Sequence, residues 1–152
     1  MYSAFKFMHL LGVVLLLGNV TASAVWKVFA NRTGNAVVVV FAQKLVSYTD
    51  WSLTLGGVVL VMVGGYGMTT VAGLDLRLGW LLWGQVLFLV SGVIWLARLV
   101  PIQIAQSRMT KQFVPGSPVP REYRTLCTRW IAWGAVATVP LVAATWVMVG
   151  KF

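Results

Sequence analysis

With 152 residues, 59% of them hydrophobic and only 10% charged, the chain is far from soluble domains, which are about 45–50% apolar and about 25% charged. Its mean hydropathy of +0.85 makes lipid the matching solvent, and four apolar segments leave no room for a separate soluble domain. The net charge of +9 does not signal nucleic acid, because the basic residues cluster in loops on one side of a membrane.

The first apolar segment runs from about Phe5 to Val25. It also fits a signal peptide, with Lys6 as the basic region, Leu10 to Leu17 as the apolar stretch and Ala22-Ser23-Ala24 as a cleavage site. The expectation is a retained span. At 100° per residue, His9, Gly12, Val13, Leu16, Val20, Ser23 and Lys27 form one stripe. Gly12 leaves space beside the imidazole, to be filled by a packed helix or a flat cofactor.

Residues 30–49 carry a short apolar run, Val37 to Ala42, that Gln43, Lys44, Ser47 and Asp50 interrupt. A run that short cannot cross a bilayer, and it predicts a short interfacial helix leading into the second span, Trp51 to Ala72. On that span Asp50, Thr54, Gly57, Val61, Gly64 and Met68 share a face, with Gly56, Gly65 and Gly67 beside it. Small residues let helices approach closely in lipid, so this face predicts a packing seam.

The third span runs from about Leu78 to Val100 and is expected to stop at Pro101. Residues 107–121, with Pro115-Gly116-Ser117-Pro118 and Pro120, read as a loop. The fourth span, about Trp130 to Val149, contains Pro140, which should free a carbonyl one turn back and bend the helix. The fold class is thus an all-α, four-transmembrane-helix bundle forming one domain over 1–152.

Lys27, Arg32 and Lys44 flank the first loop, and Arg98, Arg108, Lys111, Arg121, Arg124 and Arg129 flank the third. Only Lys6, Arg77 and Lys151 lie at the other side. Nine against three puts the first and third loops in the cytoplasm and both termini outside. Asp50 is then expected to form a structural polar cluster with Arg98 and Arg129 at the cytoplasmic ends of the spans. Cys127 is the only cysteine, so an intrachain disulfide is excluded.

No zinc spacing, phosphate loop, nucleophile elbow or dinucleotide fingerprint occurs, and no catalytic residue is assigned. His9 is the single histidine, which excludes bis-histidine haem ligation within one chain. His9 remains the candidate ligand to a haem iron, with Met68 as partner and Gly12 beside it, since His/Met ligation suits low-spin haem. Haem b is the cofactor this reading implies. The other reading is a non-catalytic membrane subunit or scaffold, in contact with membrane lipids, whose glycine seam packs against itself in a homo-oligomer or against a membrane protein partner. A transporter is disfavoured by few buried polar groups and no inverted repeat.

Phe5-Lys6-Phe7-Met8-His9-Leu10-Leu11-Gly12, then Leu17-Gly18-Asn19, Thr49-Asp50-Trp51, Gly79-Trp80-Leu81-Leu82-Trp83-Gly84 and Arg129-Trp130 together resemble a bacterial family of four-span inner-membrane proteins, domain of unknown function 2269. The resemblance covers essentially the whole chain and implies a fold and a bacterial inner (cytoplasmic) membrane, with no activity attached. Lys6 and His9 also match a Lys-x-x-His element of the CopD-like and HemJ-type membrane proteins. HemJ-type proteins are thought to bind haem through that histidine and a lysine in a later span; here the second, third and fourth spans hold no lysine.

Overall fold

A computed structural model describes residues 1–151; Phe152, the last residue of the 1–152 domain, lies outside the described residues. The described chain is helical, with one isolated bridge between Asn35 and Pro118. Six α-helices, α1 (Tyr2–Thr33), α2 (Ala36–Thr49), α3 (Leu55–Ala72), α4 (Gly79–Ile94), α5 (Val100–Thr110) and α6 (Arg121–Gly150), are arranged as four long ones. A π-helical turn over Asp50–Thr54 joins α2 to α3, and another over Trp95–Leu99 joins α4 to α5. All four continuous helices are long and apolar enough to cross a membrane.

The turns explain two departures from the expected boundaries. Pro101 does not end the third span: it follows directly on the second π turn, and the helix continues through it to Thr110. The Val100 amide reaches back five residues to Trp95, so the widened turn carries the helix past the proline. The expected interfacial helix before the second span exists, but it is α2, fused to α3 by the first π turn and packed on α1 and α5. Val39, Ala42, Gln43 and Val46 point inward on one face of α2, and burying that face within the bundle outweighs laying it on a surface.

The chain reverses between α1 and α2 in two residues. Gly34 takes the left-handed conformation (φ +64°) that closes α1, and the Asn35 side chain accepts from the Val37 amide at 2.9 Å to open α2. The α1/α2 turn and the α5/α6 loop meet at one end of the bundle through the Asn35–Pro118 bridge. At the other end, Lys151 lies 6.0 Å from the Trp80 ring, bringing the C-terminus beside the α3/α4 turn. The first of these ends is the basic one.

α1 packs on α3, and α4 on α6. The α1–α3 seam is the glycine face expected of the second span. A Cβ on Gly12 would stand 2.7 Å from the Val61 nitrogen and 2.8 Å from the Gly57 carbonyl oxygen, and one on Gly64 would collide with the His9 backbone. These glycines admit the neighbouring backbone itself, so the seam is filled within the chain by α1. Inside α6, Pro140 leaves the Val136 carbonyl without its helical donor; the next carbonyl, Ala137, accepts from the Ser91 hydroxyl of α4 at 2.7 Å.

At 1.5 Å per residue a 32-residue helix is about 48 Å long, against about 30 Å of hydrocarbon. The helices therefore outrun the membrane. The excess lies at the basic end, where α2, α5 and the first turns of α6 carry most of the charges that the spans avoid.

Candidate functional site

Polar side chains buried in this bundle concentrate where the membrane segments pass into that extension. On α1, Asn19, Ser23 and Lys27 follow one another every fourth residue and are 4%, 0% and 2% exposed. The inward face thus runs through Gly12, Leu16 and Asn19 rather than the expected Val20, which is half-buried. Opposite them, the first π turn presents Asp50 and Thr54, α2 presents Gln43, and α5 presents Gln103 and Gln106, all buried. Tyr123, Cys127 and Trp130 close the group from α6.

Two connected sets of hydrogen bonds hold these groups. The Asn19 amide donates to Asp50 Oδ1 and to Thr54 Oγ1, both at 2.9 Å, and Thr54 donates to Asp50 at 3.3 Å. Gln103 lies beside the carboxylate on the cleft wall, and Lys27 is the buried cation nearby. Lys27 in turn donates to Gln106 Oε1, whose amide donates to Cys127 Sγ at 3.1 Å. In the second set Tyr123 donates to Gln43 Oε1 at 3.2 Å, and the Gln43 amide reaches Ser47 and Ser107. Lys27 Nζ also lies 4.2 Å from the Trp130 ring centroid, a distance at which a buried cation gains from the π face.

The expected cluster of Asp50 with Arg98 and Arg129 does not form. Both arginines are exposed; Arg98 stacks over Trp133 at 5.0 Å. Each arginine stands on an outward face of a long helix, where its charge stays at the surface, whereas Lys27 is carried inside by the stripe that buries Asn19 and Ser23. Sequence reading missed Asn19, Gln43, Gln103, Gln106 and Tyr123 as site residues. The available signal was amides at three- and four-residue spacing on apolar faces: Gln103 with Gln106, and Asn19 in register with Lys27.

Asn19 Oδ1, Ser23 Oγ and Trp130 Nε1 are buried without a hydrogen-bond partner among the described residues. Leaving such an atom unsatisfied costs about 1–3 kcal/mol, so this is the most polar and least self-sufficient region of the core. A cleft of about 230 Å³ leads to it between α2 and α5, with Asp50 and Gln103 on its floor.

His9 lies apart, toward the terminal end. Its Nδ1 is 2.9 Å from the Val61 carbonyl oxygen of α3. A carbonyl can only accept, so Nδ1 donates in this bond. The space beside Gly12 is occupied by α3, leaving no slot there for a flat group. Met68, one turn beyond Gly64, is half-buried, and no described contact joins it to His9. No group of three or more His, Cys, Asp or Glu able to hold a metal ion occurs among the described residues.

Residues 3–152 match the family described as "Predicted integral membrane protein (DUF2269)". No curated protein and no solved structure matches the chain.

Proposed function

The chain belongs to the DUF2269 family of integral membrane proteins, and we propose that it is a non-catalytic subunit that binds a polar partner at its basic end. It sits in the bacterial inner membrane with both termini outside and the basic end in the cytoplasm. The observation that carries this reading is the pair of buried polar contacts Asn19–Asp50 and Lys27–Gln106, together with the cleft that reaches Asp50. Ionisable groups at membrane depth are costly and cluster where a protein does its work. The nine-to-three distribution of Lys and Arg supplies the sidedness.

The test is cysteine accessibility. Cys127 is replaced by alanine, and Ser107, in the cleft wall, is replaced by cysteine. An impermeant maleimide should modify Ser107→Cys in inside-out vesicles and not in right-side-out ones. Labelling from the opposite side, or from neither, would remove the reading.

One observation favours a second reading, haem binding at His9. Ligating histidines usually donate one ring N–H to a carbonyl, which orients the other nitrogen toward the metal. The Nδ1–H to Val61 carbonyl bond has that form and does not use Nε2. His9 would then be an axial ligand on the side of the imidazole away from the α1–α3 seam. Met68 or a residue from a second copy would complete the coordination.

A further inference from the structure

From the cleft's charges and depth we infer that its ligand is a zwitterion joining a primary ammonium to a phosphate, as in a phosphoethanolamine lipid headgroup. The inference rests on the binding role proposed above and gives the ligand its chemical class.

The cleft has charge of both signs, arranged in order. Its floor is Asp50, 5% exposed, with Gln103 beside it; its mouth carries Arg108 and Lys111, both exposed. A simple anion drawn by the mouth meets the carboxylate on the floor, and a simple cation suited to the floor must pass two positive side chains. A ligand with its ammonium inward and its anion outward satisfies both. On α5 the rise from Gln103 to Arg108 is five residues, about 7.5 Å at 1.5 Å per residue. A two-carbon linker and the reach of an arginine side chain span that separation.

The walls support the same ligand. Trp51 and Trp95 flank the cleft with their rings 6.4 Å apart and steeply inclined (70°). Indole faces attract an ammonium, and tryptophans at this position mark headgroup depth. Each belongs to one of the two π-helical turns, whose tryptophan rings meet here. Such turns recur at functional sites because the extra residue re-aims side chains. The Asp50 carboxylate accepts hydrogen bonds from Asn19 and Thr54, both at Oδ1, and retains lone-pair capacity for an N–H donor. A primary ammonium can use it. A quaternary ammonium, with no N–H, cannot.

The experiment is native mass spectrometry of the full chain, delipidated in detergent and exposed to equal amounts of phosphatidylethanolamine, phosphatidylcholine and phosphatidylglycerol. One phosphatidylethanolamine should be retained, favoured at least about tenfold over the other two, the scale of a charge-assisted hydrogen bond. Asp50→Asn should remove the preference over phosphatidylcholine. If that variant fails to fold, Arg108→Gln with Lys111→Gln tests the anion end on exposed residues, and phosphatidylethanolamine retention should fall about tenfold. Equal retention of phosphatidylcholine, or phosphatidylethanolamine retention unchanged in the arginine–lysine double variant, overturns the inference. Competition by soluble glycerophosphoethanolamine would assign the free zwitterion as the source, and its failure to compete would assign the lipid. A cleft that Ser107→Cys shows to be open but that lacks headgroup preference would cost only this inference, not the binding role.

Discussion

Asn19 donates to the Asp50 carboxylate at 2.9 Å, tying the first long helix to the π turn of the second. The same amide holds Thr54, so one side chain fixes both ends of the widened turn. A π turn gives up regular i→i−4 bonding, and here a neighbouring helix supplies side-chain bonds across the gap.

That bond makes Asn19 a stability determinant. Asn19→Leu should lower unfolding free energy by about 1–3 kcal/mol, because a buried carboxylate loses a donor. Unfolding followed by circular dichroism in mixed detergent micelles would measure it. An unchanged midpoint would mean that Asp50 is solvated in the folded protein.

Lys27 and Asp50 should behave as a coupled pair. Lys27→Met alone should destabilise by about 1–3 kcal/mol, because the buried Gln106 Oε1 loses its donor. Adding Asp50→Asn should cost less than the sum of the two single changes, by about 0.5–3 kcal/mol. Strict additivity in the double-mutant cycle would uncouple them and return Lys27 to Gln106 and Trp130 alone.

The glycines of the second span should separate into two classes. Gly64→Ala should destabilise by about 1–3 kcal/mol, since its Cβ meets the His9 backbone, which cannot retreat cheaply. A methyl group at Gly56 would meet nothing within 4 Å, and Gly56→Ala should be neutral or slightly stabilising through helix propensity. Equal effects at both sites, in thermal or denaturant melts, would contradict the α1–α3 seam. A second copy or a membrane partner must then use another face of the bundle, because α1 already covers this one.

Orientation has a direct test. An alkaline phosphatase fused after the C-terminus should be active, because both termini are expected outside. A fusion into the 111–120 loop should be inactive. The reverse pattern would invert the membrane and place the Asp50 cleft outside.

The haem reading stands or falls on colour. Protein purified from cells supplied with excess haem should show a Soret band that His9→Ala abolishes. A shift of that band in Met68→Leu would identify Met68 as the second ligand. A colourless preparation leaves His9 as the hydrogen-bond partner of Val61 and nothing more.

Much of the fold was legible in the sequence. Apolar runs of about 20 residues require helices in lipid, because no other open backbone arrangement satisfies its own hydrogen bonds there. The glycine face of the second span declared itself by spacing, and Gly57 and Gly64 do meet a helix. The sequence could not say which helix, since small residues admit any close neighbour equally.

The polar core was the harder part. Lys27 and Gln106 are 79 positions apart and Gln43 and Tyr123 are 80 apart; no local pattern links them. Arg98 and Arg129 stood at the right depth by residue count, and Lys27 at the wrong one by charge. Tertiary packing decided otherwise: α1 turns the Asn19–Ser23–Lys27 stripe inward, while the arginines point outward. Burial follows the face a helix presents to its neighbours, and that face is set by all four helices together.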